Sequence, residues 1–337
     1  MTKSKSTWKS LSFVGLGQVV ASFTIILSIL TLFDKHHWLI ELFTHFKLQY
    51  LLASVVCSII LALYKNHRFS IVLLFVAVLN AFYVLPWYFS YPENTSENNN
   101  TDLTIIHSNV YRDNNDFEGF IELINQESPD LFVMQEVNDK WLSEVNELES
   151  VYPHMFKTPR NDNFGIALFS KHPFESVKKI KWNTSNVPSI VATIGINEQF
   201  VTVIATHPLP PVNIDYYKSR NSQINNLAEL ARNHQGPLVI IGDLNITTWS
   251  YDYKPLELGT NLRNAKKGFG SLPTWPAQFL LPIFMIPIDH CLVSSHFVVN
   301  DIRVGNNIGS DHLPLIVKLG LKRIETQGDL ITSNLIN

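Results

Sequence analysis

Acids, amides and imidazoles stand at the ends of apolar runs throughout the latter two-thirds of this chain. Asn109 follows LTIIHS, Gln135-Glu136 follow LFVM, His207 follows VTVIAT, and Asp243-Leu244-Asn245 follow LVIIG. Asp289-His290 follow MIPI, and Asp311-His312 precede LPLIV. Short apolar runs rich in β-branched residues are strand-like, and strand ends gather at one rim of a sheet. Such a rim collects carboxylates, amides and imidazoles in one cleft, the arrangement that metal-assisted phosphoryl chemistry needs. Hard oxygen donors favour Mg²⁺, with Mn²⁺ as the alternative, and the lack of a Cys/His cluster argues against structural zinc. A single glutamate at a strand end is a solvated or capping residue; the weight lies in six such sites in order.

The elements that must position them follow from periodicity. Strands are predicted at 103–109, 131–135, 166–170, 189–196, 200–206, 238–242, 288–293, 297–304 and 313–319. Phe117, Phe120, Ile121 and Ile124 fall at helical spacing behind Asp116, a predicted N-cap. Trp141, Leu142, Val145 and Leu148 mark a second helix, and 217–233 a third. Strands 189–196 and 200–206 read as a hairpin turning at Asn197-Glu198. Helices alternate with strands early while hairpins dominate later, which predicts a mixed sandwich rather than a strict βαβ wind.

The first third obeys different rules. Charged residues make up 16% of the 337 residues, against about 25% in an average soluble domain. Residues 1–92 carry seven Lys/Arg and two acids, a balance of +5; the remainder carries 19 and 27, or −8. A wholly soluble protein, a disulfide scaffold and a basic nucleic-acid-coating protein are thereby disfavoured. Three stretches lack any charged side chain, 11–33, 48–64 and 69–89. As helices they reach about 35, 26 and 32 Å, against a hydrocarbon core of about 30 Å. The second is short and needs its flanks, Lys47 and Lys65, to snorkel. The first run is too long for a signal-peptide core and no small-x-small site follows it, so three retained transmembrane helices are predicted. Lys3, Lys5, Lys9, Lys65 and Arg68 place the amino terminus and the second turn in the cytoplasm, by the positive-inside rule. A multi-pass cytoplasmic (inner) membrane protein with its remaining domain on the extracytoplasmic side follows. The expected organisation is an anchor at 1–92, a polar linker at 93–101, a catalytic domain at 102–320 and a tail at 321–337.

The ordered set SNV (108–110), QE (135–136), THP (206–208), GDLN (242–245), IDH (288–290) and SDH (310–312) resembles the endonuclease/exonuclease/phosphatase superfamily. That superfamily includes secreted deoxyribonucleases, abasic-site nucleases, neutral sphingomyelinases and inositol-polyphosphate 5-phosphatases. The resemblance implies an α/β fold: a four-layer α/β/β/α sandwich of two mixed sheets flanked by helices. It implies Glu136 as the principal Mg²⁺ ligand, with Asn109 beside it and Asp311 completing or alternating in the site. Asp243 resembles the residue that orients or deprotonates the attacking water, and Asn245 one that holds water or phosphate. His312 resembles the imidazole on the scissile phosphate, Asp289 its carboxylate partner, and His207 a second phosphate-binding donor. Pro273-Thr274-Trp275-Pro276 lies where the superfamily often places an aromatic near substrate, so Trp275 is a binding or a packing residue. Tyr111 stands where the abasic-endonuclease subgroup carries an acid, and the −8 balance weakens any case for tight, nonspecific DNA binding.

The expected activity is metal-dependent hydrolysis of a phosphoester, foremost a phosphodiester, in nucleic acid or phospholipid, beside a lipid bilayer and with no protein partner evident. The uncharged run 279–288 is either a core lead-in or an apolar lip that touches lipid. The competing expectation is a catalytically inactive phosphate-binding module that signals through its helices; loss of a metal ligand or catalytic aspartate would mark it. A transporter is poorly supported, because the spans hold no intramembrane charge. Cys57 and Cys291 carry no redox inference.

Overall fold

A computed structural model describes residues 13–89, 102–182, 186–278 and 281–322. The predicted linker at 93–101 lies outside the described residues, as do residues 323–337 of the predicted tail and Phe279-Leu280 of the apolar run. The chain forms two compact units: a helical one up to Pro86 that also includes Trp249–Tyr251, and a larger one formed by Trp87–Thr248 and the chain from Asp252 on.

The helical unit contains α1 (Phe13–Leu30), α2 (Trp38–Thr44), α3 (Lys47–Leu63) and α4 (His67–Val84). It is built inside out relative to a water-soluble bundle. Phe75 and Phe82 on α4 are 72% and 76% exposed, whereas Asn80 and Ser28 are buried and joined by a 3.0 Å hydrogen bond. Ser58 and Ser70 each donate to the other's backbone carbonyl at 2.9 Å, closing α3 on α4. Val14–His36 and His67–Trp87 are each long and apolar enough to cross a membrane. The middle predicted span reaches that length only if α2 and α3, bent by 61° at their junction, count as one. Lys47 does not snorkel: it is buried and donates to Thr31 Oγ1 at 2.6 Å.

The larger unit carries twelve described strands. The first sheet is formed by β1 (Leu103–Asn109), β2 (Leu131–Gln135), β3 (His154–Thr158), β4 (Ile166–Ser170), β11 (Phe297–Val304) and β12 (Leu315–Leu321), in the order β11-β12-β1-β2-β4-β3. The second is formed by β5 (Phe174–Lys181), β6 (Pro188–Ile196), β7 (Gln199–Thr206), β8 (Leu238–Asp243), β9 (Leu262–Asn264) and β10 (Asp289–Ser294), in the order β5-β6-β7-β8-β10-β9. Both are mixed: β1 runs parallel to β2 and β7 parallel to β8, with the other pairings antiparallel. Helices α5 (Phe117–Glu127) and α6 (Asp139–Glu144) cover the first sheet through Phe120, Trp141 and Phe132. Helix α7 (Ile214–Asn233) covers the second through Ile224, Leu227 and Ile240. Ile105, Val133 and Leu168 meet Val203, Ile241 and Cys291 between the sheets. This is the expected four-layer α/β/β/α sandwich.

Local chemistry explains the element boundaries. Asp116 accepts the Gly119 amide hydrogen, as predicted for an N-cap. Asn197 and Glu198, with φ of 47° and 63°, make the tight β6–β7 turn. Helix α7 starts earlier than its apolar spacing suggested, because Asn213 caps the amides of Asp215 and Tyr216. Strands β3, β5 and β9 were not predicted. They are edge strands or very short, and β5 presents Lys178, Lys179 and Lys181 rather than an apolar run.

Candidate active site

Strand parity assembles the site. Side chains alternate across a strand, so residues two apart share a face. On β1 the face that packs Leu103 and Ile105 between the sheets continues to His107 and Asn109 at the rim. On β8 the face of Val239 and Ile241 continues to Asp243; on β10 that of Val293 and Cys291 ends at Asp289; on β2 that of Leu131 and Val133 ends at Gln135. His207 extends the β7 face of Val203 and Ala205 by one more step. The inter-sheet core thus ends in a buried layer of polar groups contributed by both sheets.

Asp243 and Asp289 lie directly opposite each other on antiparallel strands, a pairing that is unfavourable for two bare carboxylates. Imidazoles resolve it. His312 donates from Nδ1 to Asp289 Oδ2 at 2.8 Å and turns Nε2 toward Asp243 Oδ2 at 3.6 Å. His207 Nε2 faces the same Asp243 oxygen at 3.5 Å. His107 Nε2 donates to the other oxygen of Asp289, also at 2.8 Å. The result is an alternating row, His107–Asp289–His312–Asp243–His207, all of it buried.

The electrostatics follow from that alternation. Burial alone would lower the His312 pKa, but the Asp289 and Asp243 carboxylates override it and raise it to about 10. His207 is likewise raised, its burial outweighed by Asp243 and Glu136. Burial would raise Asp289, but His312 and His107 hold it well below the usual carboxylate range. The His312 imidazole is therefore kept as a cationic donor near neutral pH.

Supporting residues fix these side chains. Asp243 Oδ1 accepts the Asn245 amide hydrogen at 2.8 Å, and Asn245 takes the left-handed conformation at φ 52°. Arg220 of α7, fully buried, donates to the Asn245 carbonyl at 2.9 Å, and Asn245 Nδ2 donates to Pro208 O at 3.0 Å. Gln135 bridges the sheets, donating to Thr206 O at 2.8 Å and accepting the Asp243 amide hydrogen at 3.0 Å. Ser310 donates to Asn109 O at 2.7 Å and accepts the His312 amide hydrogen, which ties the SDH segment to the end of β1. His290, one residue from Asp289 and of opposite parity, points away. It donates to Ile246 O, and burial first, then Lys266, lowers its pKa to about 3.

Gly242 leaves room for Thr206 O on the neighbouring strand β7 and for Gln135 of the other sheet. It has φ 155°, and a Cβ there would lie 2.0 Å from Thr206 O and 2.5 Å from Gln135 Nε2. Gly242→Ala is expected to destabilise the chain by about 1–3 kcal/mol, read as a lower Tm. An unchanged Tm would show that the rim tolerates a wider spacing.

Glu136 stands apart from the row, with a left-handed φ of 61° that turns it off the strand parity of β2. Asn109 Nδ2 donates to its Oε1 at 3.0 Å, while its Oε2 is buried and has no hydrogen-bond partner among the described residues. Burial raises its pKa. A buried carboxylate with one open oxygen calls for a cation. Asp243, Asp289 and His312 also offer ligand atoms within 4.8 Å of one another. Both oxygens of Asp289 already accept imidazole protons, so that trio forms a hydrogen-bonded network, whereas Glu136 keeps an oxygen that could take a cation. Asp311 accepts the Trp275 indole hydrogen at 3.1 Å, and the Trp275 ring lies 6.4 Å from that of His312. No contact joins Asp311 to Glu136 among the described interactions.

Seven of the nine residues singled out by sequence thus meet directly: four in the row, Asn245 bonded to Asp243 by its amide, and the Glu136–Asn109 pair; Trp275 and Asp311 form a third group beside His312. His107 and Arg220 were missed as site residues, and Gln135, placed at the rim by sequence, was given no role there. Parity with Asn109 could have flagged His107; Arg220 lies in a helix whose periodicity gives no sign that its charge is buried.

Residues 106–312 match the Endonuclease/Exonuclease/phosphatase family. Among solved structures, D. rerio TDP2 complexed with single strand DNA product is 14% identical, with a TM-score of 0.56 over 65% of this chain and 98% of that one. An endonuclease/exonuclease/phosphatase from Bacteroides vulgatus is 16% identical, with a TM-score of 0.56 over 66% of this chain and 100% of that one. The human Nocturnin catalytic domain with bound sulfate anion is 17% identical, with a TM-score of 0.54 over 65% and 94%. No curated protein matches. The family match spans the whole polar rim from β1 to His312, and on it the chain belongs to the Endonuclease/Exonuclease/phosphatase family, the fold of phosphoester hydrolases.

Proposed function

We propose that this chain is a membrane-anchored, Mg²⁺-dependent phosphodiesterase whose catalytic domain faces the extracytoplasmic side, with nucleic acid as its first substrate class. The observation that carries the reading is the buried row in which Asp243 lies between two imidazole Nε2 atoms. In-line attack on a phosphodiester needs a base for the entering water and donors for the non-bridging oxygens, where charge develops. Asp243 supplies the base, and His312 and His207 turn their Nε2–H groups from Asp243 to the phosphate when substrate enters. Asp289 holds the His312 ring in the orientation that presents Nε2. Asn245 is fixed by Arg220 and Pro208 beside the path of the water. Glu136 and Asn109 would hold the metal, with Asp311 on the flank that Trp275 secures. Bound there, a divalent cation supplies charge stabilisation for the phosphoryl oxygens. The TDP2 complex with single strand DNA product supports nucleic acid as the substrate class. Phospholipid is the second reading, because Leu281 and Phe284 of the 279–288 run are exposed.

The test is hydrolysis by the full chain in detergent micelles and in nanodiscs, across Mg²⁺, Mn²⁺ and Ca²⁺, of plasmid DNA, RNA, phospholipid and a chromogenic bis-phosphodiester. Glu136→Gln is expected to need far more Mg²⁺ for half-maximal rate, by about 10- to 100-fold, with its fold intact. Turnover of lipid alone would replace the nucleic-acid reading. No turnover of any substrate would favour the phosphate-binding module.

A further inference from the structure

We propose that His107 is a positioning residue for the His312–Asp289 pair, acting from the opposite sheet as a fixed donor that aims the Asp289 carboxylate. Three observations carry this. First, His107 is fully buried on β1 of the first sheet, while Asp289 starts β10 of the second, so their 2.8 Å bond spans the inter-sheet gap. Second, the two Asp289 oxygens are divided: Oδ1 takes the His107 proton and Oδ2 takes the His312 proton, each at 2.8 Å. A carboxylate held at both oxygens cannot rotate, so the direction of the Oδ2 lone pairs, and with it the plane of the His312 ring, is set by His107. Third, His107 Nδ1 is buried with no hydrogen-bond partner among the described residues. A buried N–H without an acceptor is costly, whereas an unpaired ring lone pair is much less so. The donated proton therefore sits on Nε2, and His107 acts on Asp289 as a donor from that atom.

The inference rests on the hydrolase reading for its kinetic consequence but not for its geometry, and two measurements separate them. The full chain, labelled with ¹⁵N-histidine and held in micelles, is expected to show His107 protonated at Nε2 alone. In His107→Leu the Nδ1–H resonance of His312 is expected to lose its hydrogen-bonded shift, and His107→Gln, which keeps an N–H at about the same place, is expected to restore it. In parallel, His107→Leu should lower kcat by about 10- to 100-fold with little change in KM, and His107→Gln should recover most of that loss. A merely structural role would lower Tm and activity alike in both variants, without rescue, and would overturn the proposal. So would a His107 protonated at Nδ1, or a His312 resonance that does not respond in His107→Leu. If the wild type hydrolyses nothing, the hydrolase reading fails while the resonances still decide whether His107 aims the pair.

Discussion

Asp243→Ala is expected to lower the Mg²⁺-dependent kcat by about 10²- to 10⁴-fold, the span typical of a lost general base. The size follows from what the carboxylate touches. Its Oδ2 is the oxygen that both His207 and His312 face, and its Oδ1 holds the Asn245 amide. Deleting it removes the base, an anion that raises both imidazoles, and the anchor of the turn that places Asn245. Asp243→Asn separates these roles, since it keeps the shape and one acceptor but has no basic oxygen. Its activity is expected to fall nearly as far and its Tm to drop, because the buried imidazoles of His207 and His312 lose the carboxylate they face and meet an amide NH2 instead. Asp243→Ala and His312→Ala should be far from additive when combined, because both act on one transition state. Initial rates on a bis-phosphodiester and thermal melts provide the check. An Asp243→Asn enzyme within tenfold of wild type would remove Asp243 from the role of base.

The chemistry was legible where strand periodicity and residue type coincide. Asp243, Asp289 and Asn109 each end an apolar alternation, so parity alone aims them between the sheets. A mixed sandwich was legible from helices alternating with strands early and hairpins later, while its two sheets and four layers came from the resemblance carried by motifs such as GDLN and SDH. The edge strands were not legible: β5 is half lysine and glutamate, and its pairing with β6 is a tertiary fact. Nor was the shared hydrogen bonding. Sequence places His107 beside Asn109, but nothing in it says that a residue 182 positions away accepts its proton. Charge runs identified three apolar stretches, yet the bend between α2 and α3 arises from the short segment Thr44–Lys47, which carries no proline or glycine to announce it. Buried charges such as Arg220 and Lys47 defeat composition arguments for the same reason, since each is held by partners that only the fold brings to it, Asn245 O for Arg220 and Thr31 with the Tyr83 ring for Lys47.

The sharpest pH signature belongs to Asp289→Asn. In the wild type His312 is raised to about 10, so its cationic donor persists through neutral and mildly alkaline pH, and kcat/KM should lose activity only as pH approaches that value. Removing the Asp289 charge takes away the largest of the influences that raise it, leaving Asp243 and Asp311 to oppose burial, which lowers it. The alkaline limb of the Asp289→Asn profile is therefore expected to move down from about pH 10 toward neutrality. The same linkage acts on stability. His312 is raised in the folded state above about 6.5, its unfolded value, so its contribution is fully present below about pH 6.5 and is lost as pH rises toward 10. Asp289 is depressed, so its contribution is present above about pH 4 and is lost as pH falls through its folded value. These are two ends of one ion pair and count once, giving a wild-type plateau from about pH 4 to 6.5 with a decline on either side. Asp289→Asn should be less stable on that plateau and should lose much of the alkaline slope. Melts across pH 4 to 10 beside kcat/KM profiles read both effects, and superimposable alkaline limbs for the two proteins would show that His312 owes its charge to something other than Asp289.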